Sequence, residues 1–124
     1  TPATRRRIQA LVAKWRPRMF LDSWVLEVKF EDPGVDGAYA TCETSTRYRR
    51  ATLRFDIKRF PSHESLEALV VHEMCHALLS HEQGMLHALT PNVREREVEE
   101  ALEGTTTWVE RCLLRAYGVQ APGF

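Results

Sequence analysis

The sequence predicts an α+β domain made of an N-terminal helix, a small three-stranded and mostly antiparallel sheet, and two further helices. Three observations predict it. Apolar residues recur at three- and four-residue intervals near the N-terminus. They alternate with polar residues through 24–30 and 50–57. Helical spacing then returns from residue 66 to residue 117. A chain of 124 residues has room for one core, so residues 1–124 are read as one domain.

The elements follow in order. Between Thr4 and Trp15, the residues Ile8, Leu11, Val12 and Trp15 form one helical stripe, and Pro17 is expected to stop the helix. Trp24, Leu26, Val28 and Phe30 alternate with Val25, Glu27 and Lys29, the period of a strand. Glu31–Asp32–Pro33–Gly34 breaks that run. Residues 38–44 give a weaker strand with Ala38, Ala40 and Cys42 on one face. In 50–57, Ala51, Leu53, Phe55 and Ile57 point one way and Thr52, Arg54 and Asp56 the other. Ser62 is a plausible N-cap for a helix running through Leu66, Val70, Met74 and Leu78 to an exit at Gly84. A connector with Pro91 leads to a last helix over about 92–117, weakened in its middle by Gly104 and three threonines.

Composition excludes some functions. Lysine plus arginine equals aspartate plus glutamate, so a protein that mainly coats nucleic acid is not expected. No segment is apolar for long enough to span a bilayer. The N-terminal arginines are followed by no apolar h-region, so no secretory signal is expected. Cys42, Cys75 and Cys112 are odd in number and lack paired spacing, which suits a reducing, cytoplasmic setting better than a disulfide framework. All three are read as core residues, and Trp15, Trp24 and Trp108 as packing anchors.

One motif carries chemistry. Residues 72–76 read His-Glu-Met-Cys-His. On a helix, positions four apart share a face, with Cβ atoms roughly 5–6 Å apart. Two imidazoles so placed can reach one Zn2+ ion, while Glu73 sits beside the metal and can take a proton from a water that the metal activates. The bland reading is two histidines on an ordinary helix face. The capped, amphipathic context favours the metal.

A third ligand must come from elsewhere. His81 is turned about 140° from His76, and His87 lies in the connector. The acidic run Glu95, Glu97, Glu99, Glu100 and Glu103 is the other source. With Val98 at the centre of the buried face, Glu95 lies about 60° off it and Glu97 and Glu99 about 100°. Glu95 is therefore the expected ligand. Glu99, a turn later, is the expected acceptor of a hydrogen bond from a ligand histidine. Glu97 and Glu99 stay open as alternative ligands.

The two-histidine motif, followed after residues 77–94 by Glu95, resembles the gluzincin zinc peptidases, whose third ligand comes from a glutamate helix. Small size and the order of elements resemble the minigluzincins, including phage-type metallopeptidases. The stretches carrying the likeness are the helix end at Trp15, Leu21–Asp22–Ser23–Trp24, residues 48–55, residues 70–76 and the acidic helix. The resemblance implies a zincin-like fold and peptide hydrolysis with Glu73 as general base and then acid. It also implies that an extended substrate pairs with an edge strand, for which Arg50–Ile57 is the candidate. Where other families place a downstream histidine, this chain has Glu82, and a leucine stands where their glycine would be. No oxyanion donor follows from the pattern; His63, His87, Arg94 and Tyr117 are the candidates. Two competing readings are a non-catalytic zinc-binding interaction module and a protease directed to DNA-bound proteins. The tail 119–124 is expected to be a frayed end or a segment that keeps the cleft latent.

Overall fold

The computed structural model describes residues 2–34, 38–59 and 66–119. Its elements are α1 (Pro2–Arg18), β1 (Val25–Lys29), β2 (Ala40–Ser45), a 3₁₀ turn (Thr46–Tyr48), β3 (Arg50–Phe55), α2 (Leu66–Leu78), α3 (Ser80–Leu89) and α4 (Glu95–Ala116). The α+β class is as the periodicity predicts. The expected cap Ser62 and the tail beyond residue 119 lie outside the described residues. Among the described residues, no helix is long and apolar enough to cross a membrane.

α1 buries Ile8, Leu11, Val12 and Trp15, the stripe read from the sequence. Pro17 does not stop it: the helix continues to Arg18. The missing amide falls in the last turn, and termination comes from a left-handed residue after it. Phe20 has φ 57°, Leu21 N–H donates to the Arg16 carbonyl at 2.9 Å and Phe20 N–H to the Pro17 carbonyl at 3.2 Å. This is a Schellman cap with a non-glycine residue at the position where a Cβ is strained. Phe20 is 86% exposed, so its ring offsets little of that strain. Phe20→Gly is therefore expected to raise stability by about 0.5–1 kcal/mol, read as a higher denaturant midpoint at unchanged slope. The Arg16 guanidinium then ties the turn to the sheet, donating to the carbonyls of Leu21, Asp22 and Trp24.

The sheet order is β1-β3-β2. β2 and β3 form an antiparallel hairpin, Cys42 opposite Leu53. β1 and β3 are parallel, Val28 opposite Leu53, so the sheet is mixed rather than mostly antiparallel. The cause is the insertion of the third strand between the first two. Each strand reverses the one before it in sequence, and the first and third become neighbours. β3 is thus the central strand, and Arg50–Ile57 is not the edge at which a peptide would pair. Strand β2 occupies an edge instead.

The alternation in β3 is as expected: Ala51, Leu53 and Phe55 are buried. They meet Leu66, Val70, Val71, Met74 and Cys75 of α2 in a core shared with α1 and Leu114 of α4. On the other sheet face, Arg54 pairs with Glu31 at 2.9 Å and Glu43 at 2.8 Å. Trp15 is fully buried and donates from Nε1 to Glu67 at 2.7 Å. Trp24 packs partly buried against the core. Trp108 is 68% exposed and no core anchor. Cys75 is buried, Cys42 is partly so, and Cys112 is exposed, contrary to the core reading of all three.

The helix expected to run from Ser62 to Gly84 is two helices. Leu79, at φ −98° and ψ 5°, separates α2 from α3, and Gly84 lies inside α3. At the C-terminus of α4, Gly118 takes φ 71°, and Val119 N–H donates to the Leu114 carbonyl at 2.8 Å, a second Schellman cap.

Candidate metal centre

α2 lies between the sheet and α4, packed against β2 on one side and α4 on another. Its apolar faces bury Val70, Val71, Met74 and Cys75. The remaining stripe carries His72 and His76, one turn apart, partly exposed towards α4. Their rings meet edge to face with centroids 5.3 Å apart.

The helix α4 delivers its carboxylates from its middle, Glu103 just before the midpoint and Glu110 beyond it. Glu103 Oε1 lies 2.6 Å from His72 Nε2, and Glu103 Oε2 lies 3.5 Å from His76 Nε2. Ligand atoms of His72, His76 and Glu103 all fall within 4.8 Å of one another, close enough to hold one metal ion. Glu110 approaches the other ring nitrogen, its Oε1 2.7 Å from His72 Nδ1. Nδ1–H donating to Glu110 fixes the tautomer that leaves Nε2 free to ligate.

None of the helical glutamates named from the sequence, Glu95, Glu97 or Glu99, belongs to this cluster, and all three are exposed. Glu95 is the first residue of α4 and exposed; Glu99 is exposed one turn on. The register fails because Val98 is not where α4 meets the histidines. From Glu95 to Glu103 the axis advances by about 12 Å, and the residues that face α2 and α3 there are Glu103, Thr106 and Glu110. Glu103 belongs to the acidic run but is not among the glutamates that the buried-face geometry favours. Glu110 was missed because it lies beyond the acidic run, although it is two turns from Glu103 on the same side of the helix.

The threonines that weaken α4 as a sequence have a role in this contact. Thr106 is fully buried. Its hydroxyl donates to the Leu102 carbonyl at 2.9 Å and accepts from Gln83 Nε2 at 2.9 Å. Gln83 thereby joins α3 to α4 beside His76, whose ring it also hydrogen-bonds. His81 and His87 are exposed on α3 and take no part in the cluster. Among the candidate oxyanion donors, His63 lies outside the described residues. Tyr117 is engaged elsewhere, edge-on to Trp15 at 5.2 Å and under Arg18 at 4.3 Å. His87 and Arg94 are exposed.

The electrostatics suit a cation. Burial opposes a charge on His72, but its hydrogen bonds to the carboxylates of Glu103 and Glu110 outweigh it and push the imidazole up to about 10. Glu73, 6% exposed, is pushed up to about 7, by burial first and by the carboxylates of Glu103 and Glu110, against the pull of His72. Glu103 is held below the ordinary carboxylate value by its hydrogen bond to His72. Burial lowers His76. The Cys42 thiol of β2 is pushed up to about 12 by burial and then by Glu73, which sets the β2 edge beside the candidate base.

Two imidazoles and a carboxylate are a donor set that fits zinc. In the metal-free chain, His72 holds a proton where the ion would sit, so binding must expel it. Calorimetry at pH 7 in buffers of different ionisation enthalpy is expected to report about one proton released per zinc bound. The same shift sets the stability of the metal-free chain. The raised His72 contributes fully below its ordinary 6.5 and loses that contribution as pH rises through about 10. Glu73, also raised, acts in the same direction between 4.5 and about 7. The melting temperature of the metal-free chain is therefore expected to fall from pH 5 to pH 10. Glu110→Gln is expected to weaken zinc binding about tenfold or more while Glu110→Asp retains part of it, measured by competition with a chromophoric chelator.

Comparison of the chain with protein-family models, with curated proteins and with solved structures finds no match.

Proposed function

We propose that the chain is a zinc-dependent peptidase, probing extended or unfolded peptide, of the minigluzincin kind that its motif resembles. One observation carries this reading. Glu103 joins His72 and His76 within reach of one ion, while Glu73, next to His72, is buried beside that cluster as a carboxylate poised near neutrality. A structural metal site needs no such base.

His72, His76 and Glu103 would hold the ion, and Glu110 would orient His72. When bound, zinc supplies Lewis acidity to the attacking water and the scissile carbonyl. Glu73 accepts the proton of the attacking water and returns it to the leaving nitrogen as the C–N bond breaks. The substrate backbone adds to the edge of β2, unpaired among the described residues, which packs on α2 next to Glu73 and takes the place expected of Arg50–Ile57. Three free thiols support action in a reducing, cytoplasmic compartment.

The reaction class is tested by incubating the zinc-loaded chain with a reduced, unfolded protein and labelling new α-amino groups. Internal cleavage at amide bonds supports an endopeptidase. Bound zinc with no new amino termini on any unfolded substrate would leave a non-catalytic zinc module as the better reading.

A further inference from the structure

Beyond His76 the chain bends at Leu79 and enters α3. Between α3 and the turn that follows β2 lies a hollow of about 260 Å³, lined by Thr46, Ser80, His81, Gly84, Met85 and Ala88. Its walls are mostly apolar. Ser80, 7% exposed, lies in its wall with an Oγ that has no hydrogen-bond partner. Helix α3 buries only Ser80 and leaves Met85 50% and Leu89 73% exposed.

The position of the hollow relates it to the metal cluster. Thr46 directly follows the last residue of β2, so the hollow lies at the C-terminal end of that strand, which is an edge strand among the described residues. Ser80 stands four residues past His76, just beyond the bend at Leu79. Cys42, the β2 residue beside Glu73, is four positions from Thr46, or about 13 Å along a strand. A peptide lying along β2 therefore passes Glu73 and reaches the hollow about four residues later. The apolar lining suits an apolar side chain.

We propose that this hollow is a specificity subsite that takes an apolar side chain of a peptide paired to β2, about four residues from the bond that lies over Glu73. The proposal rests on the peptidase reading for the direction of the peptide, but its binding test does not need turnover.

Gly84 supplies the test. A Cβ built there meets nothing within 4 Å, and leucine is a better helix former than glycine. Gly84→Leu therefore fills the hollow without disturbing α3, which unchanged circular dichroism and zinc affinity would verify. The probes are twelve-residue alanine-serine peptides with one leucine moved along the sequence. They are bound to the zinc-loaded chain carrying Glu73→Gln and followed by amide chemical shifts. One leucine position is expected to tighten binding about tenfold or more and to shift Thr46, Ser80 and Gly84, and Gly84→Leu is expected to remove that gain. No binding across the set, a leucine gain unaffected by Gly84→Leu, or the same shifts produced by raising protein concentration alone would overturn the proposal. Peptides that bind with this preference but are never cut by the chain with Glu73 intact would keep the subsite and sink the peptidase reading. Cleavage indifferent to leucine position and to Gly84→Leu would do the reverse.

Discussion

Glu73→Gln is expected to lower the turnover of an unfolded protein substrate by about 10²–10⁴-fold, the usual contribution of a positioned general base. Glutamine keeps the shape and removes the proton acceptor. Glu73 is not a member of the His72–His76–Glu103 group, so zinc should still bind at one ion per chain. The loss should fall on kcat rather than KM, because the carboxylate acts in the transition state and not in holding the peptide. Stability should not fall. Burial disfavours the ionised carboxylate, so a neutral amide of the same size relieves a cost of folding at neutral pH. A variant that loses zinc together with activity would show that Glu73 serves the metal site structurally.

The second large effect is on the metal. Glu103→Ala is expected to reduce zinc affinity by more than the roughly 10–100-fold that loss of an outer hydrogen-bond partner costs, since a direct ligand is removed. Glu95→Ala should leave affinity unchanged. This pair of variants separates the two registers of α4, because the sequence pattern alone favours Glu95 and the geometry favours Glu103. Metal affinity from a competing chelator, with both variants checked for native helicity, decides between them. Equal affinity in Glu103→Ala and the unaltered chain would remove Glu103 from the ligand set.

Different parts of the molecule were legible to different degrees. The strand β3 could be read residue by residue because one face is buried: Ala51, Leu53 and Phe55 alternate with Thr52 and Arg54. His72, Glu73 and His76 could be read because all three lie on one helix, whose period is fixed. What depends on two elements meeting could not be read in this way. The strand order put β3 in the centre, since nothing in its own alternation says which neighbours flank it. The ligand from α4 depends on where that helix crosses α2. Val98 is buried near the start of α4, but the crossing at the histidines lies further along, at Glu103, Thr106 and Glu110. Treating Gly104 and the threonines as a weak point hid the fact that Thr106 belongs to that crossing. The break at Leu79 was hidden too, because the apolar spacing continues through Leu78 and Met85 into an exposed helix.

The central claim is tested most directly by stripping the chain with a chelator, restoring zinc in steps, and measuring cleavage of an unfolded protein at each step. The account predicts no cleavage by the stripped chain and a rate that rises in proportion to zinc up to one equivalent, then levels. Cleavage that survives complete metal removal, or its absence at every zinc level with one ion bound, would contradict it.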